Sequence, residues 1–354
     1  MVQNKGLIFK KAPPGVPVAG EHIAVEAQEE FDLEAIPPKG GVTTKNFYVS
    51  FDPYQRGRMR NPEVNNKSYS APFEIGKPVT NAALSKILKS DNEKLQPGDL
   101  VVVMTGTEEY SAIPAERAAA MKKINNPYNL DPKLFLGSLG MPGLTAYSSL
   151  YDIGKPKKGE TIFISAASGA VGQIVGQIAK HEGLTVIGSV GNDEKLDFIL
   201  KDLKFDAGFN YKKERPAEAL PRLAPNGIDI YYENVGGDHL DAALAALKQF
   251  GRIVACGMIS QYSLPEKERY GVKNLMMVVS KRLTMRGFIV SDADMGPKYT
   301  AEHQEKVMKW IHNGTFKVTT HVTDGIDNAA EGILGMLRGD NFGKAVLKIS
   351  DIEA

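Results

Sequence analysis

Between residues 160 and 290 short apolar runs alternate with stretches in which apolar side chains return every three or four positions. The runs 161–165, 184–188, 228–233, 251–257 and 283–290 read as strands. A helix running to about residue 181, a second from about residue 193 and a third over 238–249 fill intervals between them. Strands that alternate with helices imply a parallel sheet with right-handed crossovers. The earlier part of the chain is punctuated differently. Apolar runs such as 46–51 and 99–104, the latter entered through Pro97-Gly98, are cut by turns, and 15 of the 20 prolines stand at or before Pro156. After a helical stretch over 301–312, the segments 315–323 and 344–349 turn strand-like again, so the tail is expected to rejoin the first lobe. The predicted fold class is α/β, with a β-rich lobe over 1–138 completed by 315–354 and a doubly wound parallel sheet over 139–314.

Composition narrows the partners. The 354 residues are 42% hydrophobic and 24% charged, ordinary values for a folded chain of two domains. Lys plus Arg number 43 against 42 Asp plus Glu, a net charge of +1, so no overall field favours nucleic acid or an anionic membrane, and neither partner is expected. The single cysteine, Cys256, excludes an intramolecular disulfide and a thiolate-rich metal site, and fits a reducing, cytoplasmic compartment. No run of 18 apolar residues and no signal-like N-terminal stretch is present, so neither membrane spanning nor secretion is expected.

The most specific local pattern is Thr161-Ile-Phe-Ile-Ser-Ala-Ala-Ser-Gly-Ala-Val-Gly172, followed by the helical Gln-Ile-Val-Gly-Gln-Ile-Ala-Lys180. Ala166-x-x-Gly169-x-x-Gly172 has the spacing of the dinucleotide fingerprint with its first glycine shifted, and the strand before it and helix after it are the context that motif requires. Small residues there let backbone approach a pyrophosphate, and the helix N-terminus favours its charge. The second strand of such a unit, taken to end at Val186-Ile-Gly-Ser189, carries no acid at its tip, and Gly188 leaves room for a 2′-phosphate. The next helix, capped by Asn192 or Asp193, brings Lys195 toward the same place, which favours NADPH over NADH. Lys195 otherwise reads as a solvated helix-face lysine, and Asp193 as an ill-placed ribose acid.

Other dehydrogenase chemistries lack their residues. His181-Glu182 cannot complete a zinc site, and His22, His239, His303, His312 and His321 are scattered without ligand spacing, so no metal is expected. Tyr151-x-x-x-Lys155 precedes the glycine turn and reads as chance. The acid for hydride chemistry is then a weaker donor such as a phenol or water. Tyr262, in the loop after the strand 251–257, is the candidate, because ligands bind beyond the carboxyl ends of parallel strands. It reads otherwise as a tyrosine that packs the loop, and Cys256 as a small buried apolar residue.

These residues together resemble the zinc-free medium-chain dehydrogenases/reductases of the leukotriene B4 dehydrogenase, prostaglandin reductase and plant alkenal double bond reductase group. The matching segments are Phe51-Asp-Pro-Tyr-Gln-Arg-Gly-Arg-Met59, Gly140-Met-Pro-Gly-Leu-Thr-Ala-Tyr147, the 166–172 turn, Asp229-Ile-Tyr-Tyr-Glu-Asn-Val-Gly-Gly237, Cys256-Gly-Met-Ile-Ser-Gln-Tyr262, Gly287-Phe-Ile-Val290 and Gly339-Asp-Asn-Phe-Gly-Lys344. The resemblance implies a GroES-like lobe built from both chain ends, a Rossmann lobe between them, and a homodimeric, NADPH-dependent reductase of the conjugated double bond of small α,β-unsaturated carbonyl substrates. It implies that Ala166, Ser168, Gly169, Ala170, Val171 and Gly172 cradle the pyrophosphate, and that Gly188, Lys195 and Tyr211 bind around the 2′-phosphate. Pro53, Met141, Thr145, Asn234, Cys256, Gly257, Ser260, Tyr262, Phe288, Ile289, Val290 and Asn341 are implied as further cofactor contacts, with Tyr54 and Tyr262 facing the substrate. Gln55 and Ser168 depart from the family pattern, where Met and Ala stand. The stretch 60–69 and the loop 264–271 carry nothing diagnostic, which leaves the preferred enal, enone or lipid open. A hydroxy-lipid alcohol dehydrogenase or a quinone reductase on the same fold, and a cofactor-binding protein without turnover, are the alternative readings.

Overall fold

A computed structural model describes residues 1–63 and 68–352, so that 64–67 of the undiagnostic stretch 60–69 lie outside the described residues. The chain divides into two compact units, residues 1–137 with the tail from Thr320, and Ser138–Thr319.

The first unit opens with an antiparallel pair, β1 (Lys5–Phe9) and β2 (Ile23–Ala27). It continues through β3 (Val42–Ser50), the single turn α1 (Gln55–Arg58), β4 (Thr80–Ser90), β5 (Leu100–Gly106), β6 (Tyr110–Ile113), the single turn α2 (Ala115–Ala118) and β7 (Lys122–Lys123). Antiparallel pairing of β3 with β4 and of β4 with β5 makes the body of its sheet. Alternate residues of these strands, among them Val49, Ala83, Ile87, Val101 and Val103, are buried on one face, as the two-residue period requires.

The second unit begins with α3 (Met141–Ser149), then β8 (Thr161–Ile164), α4 (Gly172–His181), β9 (Thr185–Val190), α5 (Asp193–Asp197), β10 (Ala207–Asn210), α6 (Pro216–Leu223), β11 (Ile228–Glu233), α7 (Gly237–Ala246), β12 (Leu247–Ala255), α8 (Met276–Ser280), β13 (Thr284–Gly287) and α9 (Gly296–His312). The strands form one parallel sheet in the order β10-β9-β8-β11-β12-β13. The order reverses between β8 and β11, and the crevice beyond the carboxyl ends of strands at that point is where this topology binds ligands. Both strands there are buried on both faces, which is why 161–164 and 228–233 are nearly continuous apolar runs. α4 ends in a Schellman turn, with Leu184 N–H donating to Ala179 O and Gly183 at φ 79°.

The chain then returns to the first unit. β14 (Thr320–Asp324) pairs parallel with β15 (Lys344–Lys348), which follows α10 (Ala329–Arg338) and pairs antiparallel with β3. A tail strand thus completes a sheet begun some 300 residues earlier.

Three expected boundaries move. The helix expected over 238–249 stops at Ala246, because Leu247 is an apolar position in either period and pairs with Ile228 as the start of β12. The strand expected over 283–290 is only Thr284–Gly287, which leaves Phe288, Ile289 and Val290 in a loop. Residues 315–319 are not a strand, because helix side chains take their backbone groups. Gln177 accepts from Lys317 N–H and donates to Lys317 O, both at 2.8 Å, and Gln173 does the same for Thr319 at 3.0 and 3.2 Å. Two buried glutamines on α4 stand in for a neighbouring strand.

Candidate active site

The turn from β8 into α4 is shaped by close approach. Ala166 sits in the left-handed region at φ 49°. A Cβ added at Gly172 would lie 2.4 Å from Ala166 O and 2.8 Å from Ala167 Cα, so only glycine lets the helix start so near the strand. Gly169 is less confined, its added Cβ meeting Ala166 O at 3.2 Å. No side chain caps α4, so the backbone around Ala170, Val171 and Gly172 presents helix-start N–H groups and the positive end of a ten-residue dipole. Ser168 is buried in the turn. Uncapped helix-start donors beside a turn held this tight fit a dinucleotide pyrophosphate.

At the next strand end the residues fall differently from expectation. β9 runs on to Val190, so Gly188 is not at its tip; a Cβ there would meet Ala167 Cβ and Ile199 Cδ1 at 2.7 Å. Gly188 serves packing, and the glycine beyond the strand end is Gly191, over which Tyr211 closes, its hydroxyl 3.0 Å from where a Cβ would lie. Asn192 caps α5, its Oδ1 accepting from Lys195 N–H at 2.8 Å. Lys195 is buried rather than a solvated helix-face lysine. Asp193 is engaged by Asn210 Nδ2 at 2.9 Å and by Lys213, whose ammonium holds its carboxyl below the usual range, so it is not poised as a ribose acid. Ser189 Oγ, on the same strand, is buried with no partner among the described residues.

Beyond β11 a carboxylate builds the loop. Glu233 is fully buried, and its Oε1 accepts from Tyr231 Oη at 2.7 Å, Val235 N–H at 2.7 Å and Gly236 N–H at 2.8 Å. Burial pushes its pKa up, and those donors offset part of the rise. Asn234 is fastened to the end of β8, its Nδ2 donating to Ser165 O at 2.7 Å and its N–H to Ser165 Oγ at 2.9 Å. After β12, Cys256 and Gly257 both donate backbone N–H to Glu233 O at 3.0 Å. Burial raises the Cys256 thiol to about 12, so it is no nucleophile near neutral pH. Ser260 donates to Val235 O at 2.5 Å. The Tyr262 hydroxyl accepts from Met258 N–H at 3.1 Å and would crowd a Cβ at Gly257 at 2.8 Å, so the phenol is folded back against the strand end. In the same unit Thr145 Oγ1 donates to Met141 Sδ at 3.5 Å, and the loop through Ile289 is pinned by its N–H to Asp292 at 3.0 Å.

The first unit carries Pro53, Tyr54 and Asn341. Pro53 is exposed, and Asn341 Nδ2 donates to Gly343 O at 2.7 Å. Tyr54 is half-buried and donates to Asn81 Oδ1 at 2.6 Å. Burial, reinforced by the Asp52 carboxylate and opposed by Arg58, raises its pKa to about 12. The structure therefore gathers the glycine turn, Lys195 and Tyr211 at one set of strand ends, and Asn234, Cys256, Gly257, Ser260 and Tyr262 at the adjoining set. Glu233, Ser189, Asn81 and Asp52 were not picked out from the sequence. Glu233 had a visible signal, a carboxylate closing the apolar run Ile230-Tyr231-Tyr232.

Among the described residues no three His, Cys, Asp or Glu side chains group as metal ligands, and no helix is long and apolar enough to cross a membrane. Fold and glycine turn define a two-domain, dinucleotide-type oxidoreductase architecture. Residues 170–312 match the family described as zinc-binding dehydrogenase and residues 5–121 the N-terminal domain of oxidoreductase. The chain is 57% identical to the NADP-dependent oxidoreductase RED1 of Cochliobolus heterostrophus over 99% of both chains. It is 43% identical to the NADP(+)-dependent 2-alkenal reductase of Nicotiana tabacum, covering 99% of this chain and 98% of that one. The crystal structure of CurA from Vibrio vulnificus in complex with NADPH superposes with a TM-score of 0.87 at 34% identity, covering 98% of this chain and 100% of that one. The protein belongs to the medium-chain dehydrogenase/reductase family, in its zinc-independent branch.

Proposed function

We propose that this protein is an NADPH-dependent reductase of the conjugated carbon–carbon double bond of α,β-unsaturated aldehydes and ketones. Three of its similar proteins carry NADP or NADPH in their names, and the tobacco relative is named for 2-alkenals. The glycine turn would hold the pyrophosphate, with Lys195, Tyr211 and the unpartnered Ser189 hydroxyl around the 2′-phosphate. Bound NADPH supplies the hydride that adds to the electrophilic β-carbon.

The observation that carries the reading is the anchored phenol at the end of β12. Addition to the β-carbon turns the carbonyl oxygen into an enolate oxyanion, whose charge is delocalised and needs only a neutral donor. Tyr262, held by the Met258 amide, is such a donor at the carboxyl end of the sheet. The α-carbon then takes a proton, and the conjugated bond is saturated.

The test is NADPH oxidation with a simple enal, a simple enone, a quinone and a saturated ketone side by side, repeated with NADH. Turnover of the enal and enone with NADPH is expected. Turnover of the quinone alone replaces the reading with a quinone reductase, and NADPH binding with no turnover replaces it with a binding protein. Tyr262→Phe should lower enone turnover about 100-fold, the usual worth of an oxyanion donor.

We also propose a homodimer joined through β13. That strand is at the edge of its sheet, and Leu275, Met276, Val279 and Met285 beside it are exposed apolar side chains, a combination that seeks a partner. Light scattering should give twice the chain mass, and Val279→Asp should return the monomer. A reducing cytoplasmic location fits a chain with one cysteine.

A further inference from the structure

Behind Tyr54 five polar side chains, Ser50, Asp52, Gln55, Asn81 and Lys344, are buried almost completely. Lys344 Nζ donates to Asp52 Oδ1 at 2.9 Å and to Phe51 O at 2.6 Å. Asp52 Oδ2 accepts from Ser50 Oγ and from Asn81 Nδ2, the latter at 2.9 Å, while the Asp52 N–H donates to Gln55 Oε1 at 2.8 Å. Asn81 Nδ2 also donates to Ser50 O at 2.7 Å.

This pattern decides which way the Asn81 amide faces. Turned over, its oxygen would lie 2.7 Å from a carbonyl oxygen and 2.9 Å from a carboxylate oxygen, acceptors with no proton to share. The amide NH₂ therefore faces Ser50 and Asp52, and Oδ1 faces Tyr54. An amide oxygen only accepts, so the 2.6 Å bond between Asn81 and Tyr54 uses the phenol's own proton.

We propose that Lys344, Asp52 and Asn81 are positioning residues that commit the Tyr54 proton to the protein, so that Tyr54 orients the substrate by its anchored ring and takes no part in stabilising the oxyanion. This rests on the reading that Tyr54 faces the substrate of a double bond reductase. Each link has one task. Lys344 Nζ holds Asp52 Oδ1, Asp52 Oδ2 holds the Asn81 NH₂, and the oriented amide oxygen accepts the phenol's hydrogen bond. Arg58 also faces the phenol, but its guanidinium gives up no proton near neutral pH, so neither partner offers Tyr54 the replacement proton that a group acting as an acid would need.

A double-mutant cycle tests this. Enone reduction is measured for the native protein, Tyr54→Phe, Asn81→Leu and the two combined, with NADPH titration as the check that each variant is folded. Tyrosine labelled at ¹³Cζ gives a resonance that reads the hydrogen-bond state of the Tyr54 phenol without turnover. Each single variant should lose about tenfold in kcat/KM, roughly the worth of one neutral hydrogen bond. The double variant should be no slower than Tyr54→Phe, and Asn81→Leu should shift the Tyr54 resonance. If Asn81→Leu fails to fold, the charge-neutral pair Lys344→Met with Asp52→Asn gives the same readings. Losses that multiply in the double variant, or an unmoved resonance, overturn the proposal. A native protein that reduces no conjugated carbonyl, with the resonance shift intact, instead overturns the functional reading and leaves the hold on Tyr54 standing.

Discussion

The glycine turn of the second unit and the Tyr54 cluster of the first both hold polar groups in place, by opposite means. The turn uses backbone alone: seven consecutive residues, two of them glycine, bring bare N–H groups to a helix start, and the absence of a side chain at Gly172 is what shapes it. The cluster is built by side chains, which bond one another and nearby backbone, and two of its members, Asp52 and Lys344, lie 292 residues apart in the chain. A site made of backbone is written in consecutive letters and is sensitive to anything added. One made of side chains is dispersed, and is sensitive to anything removed.

The comparison can be broken by substitution. Lys344→Met leaves Asp52 buried without its cation, and should cost about 3–5 kcal/mol of stability, measured by denaturant unfolding. A loss below about 1 kcal/mol would mean that the Lys344–Asp52 pair adds little to the fold. Gly172→Ala forces Ala166 O or the helix start to move, and should weaken NADPH binding about 100-fold, or roughly 2.7 kcal/mol, in a fluorescence titration. An unchanged affinity would remove the turn from the site. Lys195→Ala should weaken NADPH about tenfold or more, the worth of a charge-assisted bond, and leave NADH binding nearly as it was. Equal losses for the two cofactors would move Lys195 away from the 2′-phosphate.

The smallest effect concerns Glu233, which joins the two styles by using a side chain to hold backbone. Burial raises its pKa in the folded protein, so its contribution to stability is full below the ordinary carboxylate range and is lost as pH rises through the folded value. Glu233→Gln keeps an acceptor for the Val235 and Gly236 amides without the buried charge. It should therefore raise stability near pH 7 by about 1 kcal/mol and have little effect near pH 4. A variant less stable at both pH values would show that the carboxylate's charge is worth more to those amides than its burial costs.

The same contrast explains what could be read from residues alone. The run 228–233 coincides with β11, because a strand buried on both faces is mostly apolar, and its one early polar residue, Asp229, is half-buried and bonded to Thr161 and Lys248. Spacing alone located the glycine turn, since its geometry is local. The end of α7 is not legible, because Leu247 is buried whether the chain goes on as helix or turns to strand. Residues 315–319 mislead because the groups that satisfy them, Gln173 and Gln177, sit on a helix some 140 residues earlier. The strand tip expected at Gly188 lies two residues further on, at Val190. Asn81 and Asp52 look like any polar residues of a strand and a turn, and only the sheet pairings of β3 with β4 and β15 bring them to Lys344.

That pairing of β15 with β3 also sets an order of events during synthesis. β3, Asp52 and β4 leave the ribosome early, and the strand that carries Lys344 emerges only after all of Ser138–Thr319 has been made. The second unit is contiguous and has what it needs to fold as it appears, whereas the first must wait with an acid whose counterion has not yet been translated. The cluster behind Tyr54 is therefore the last part of the fold that synthesis can complete.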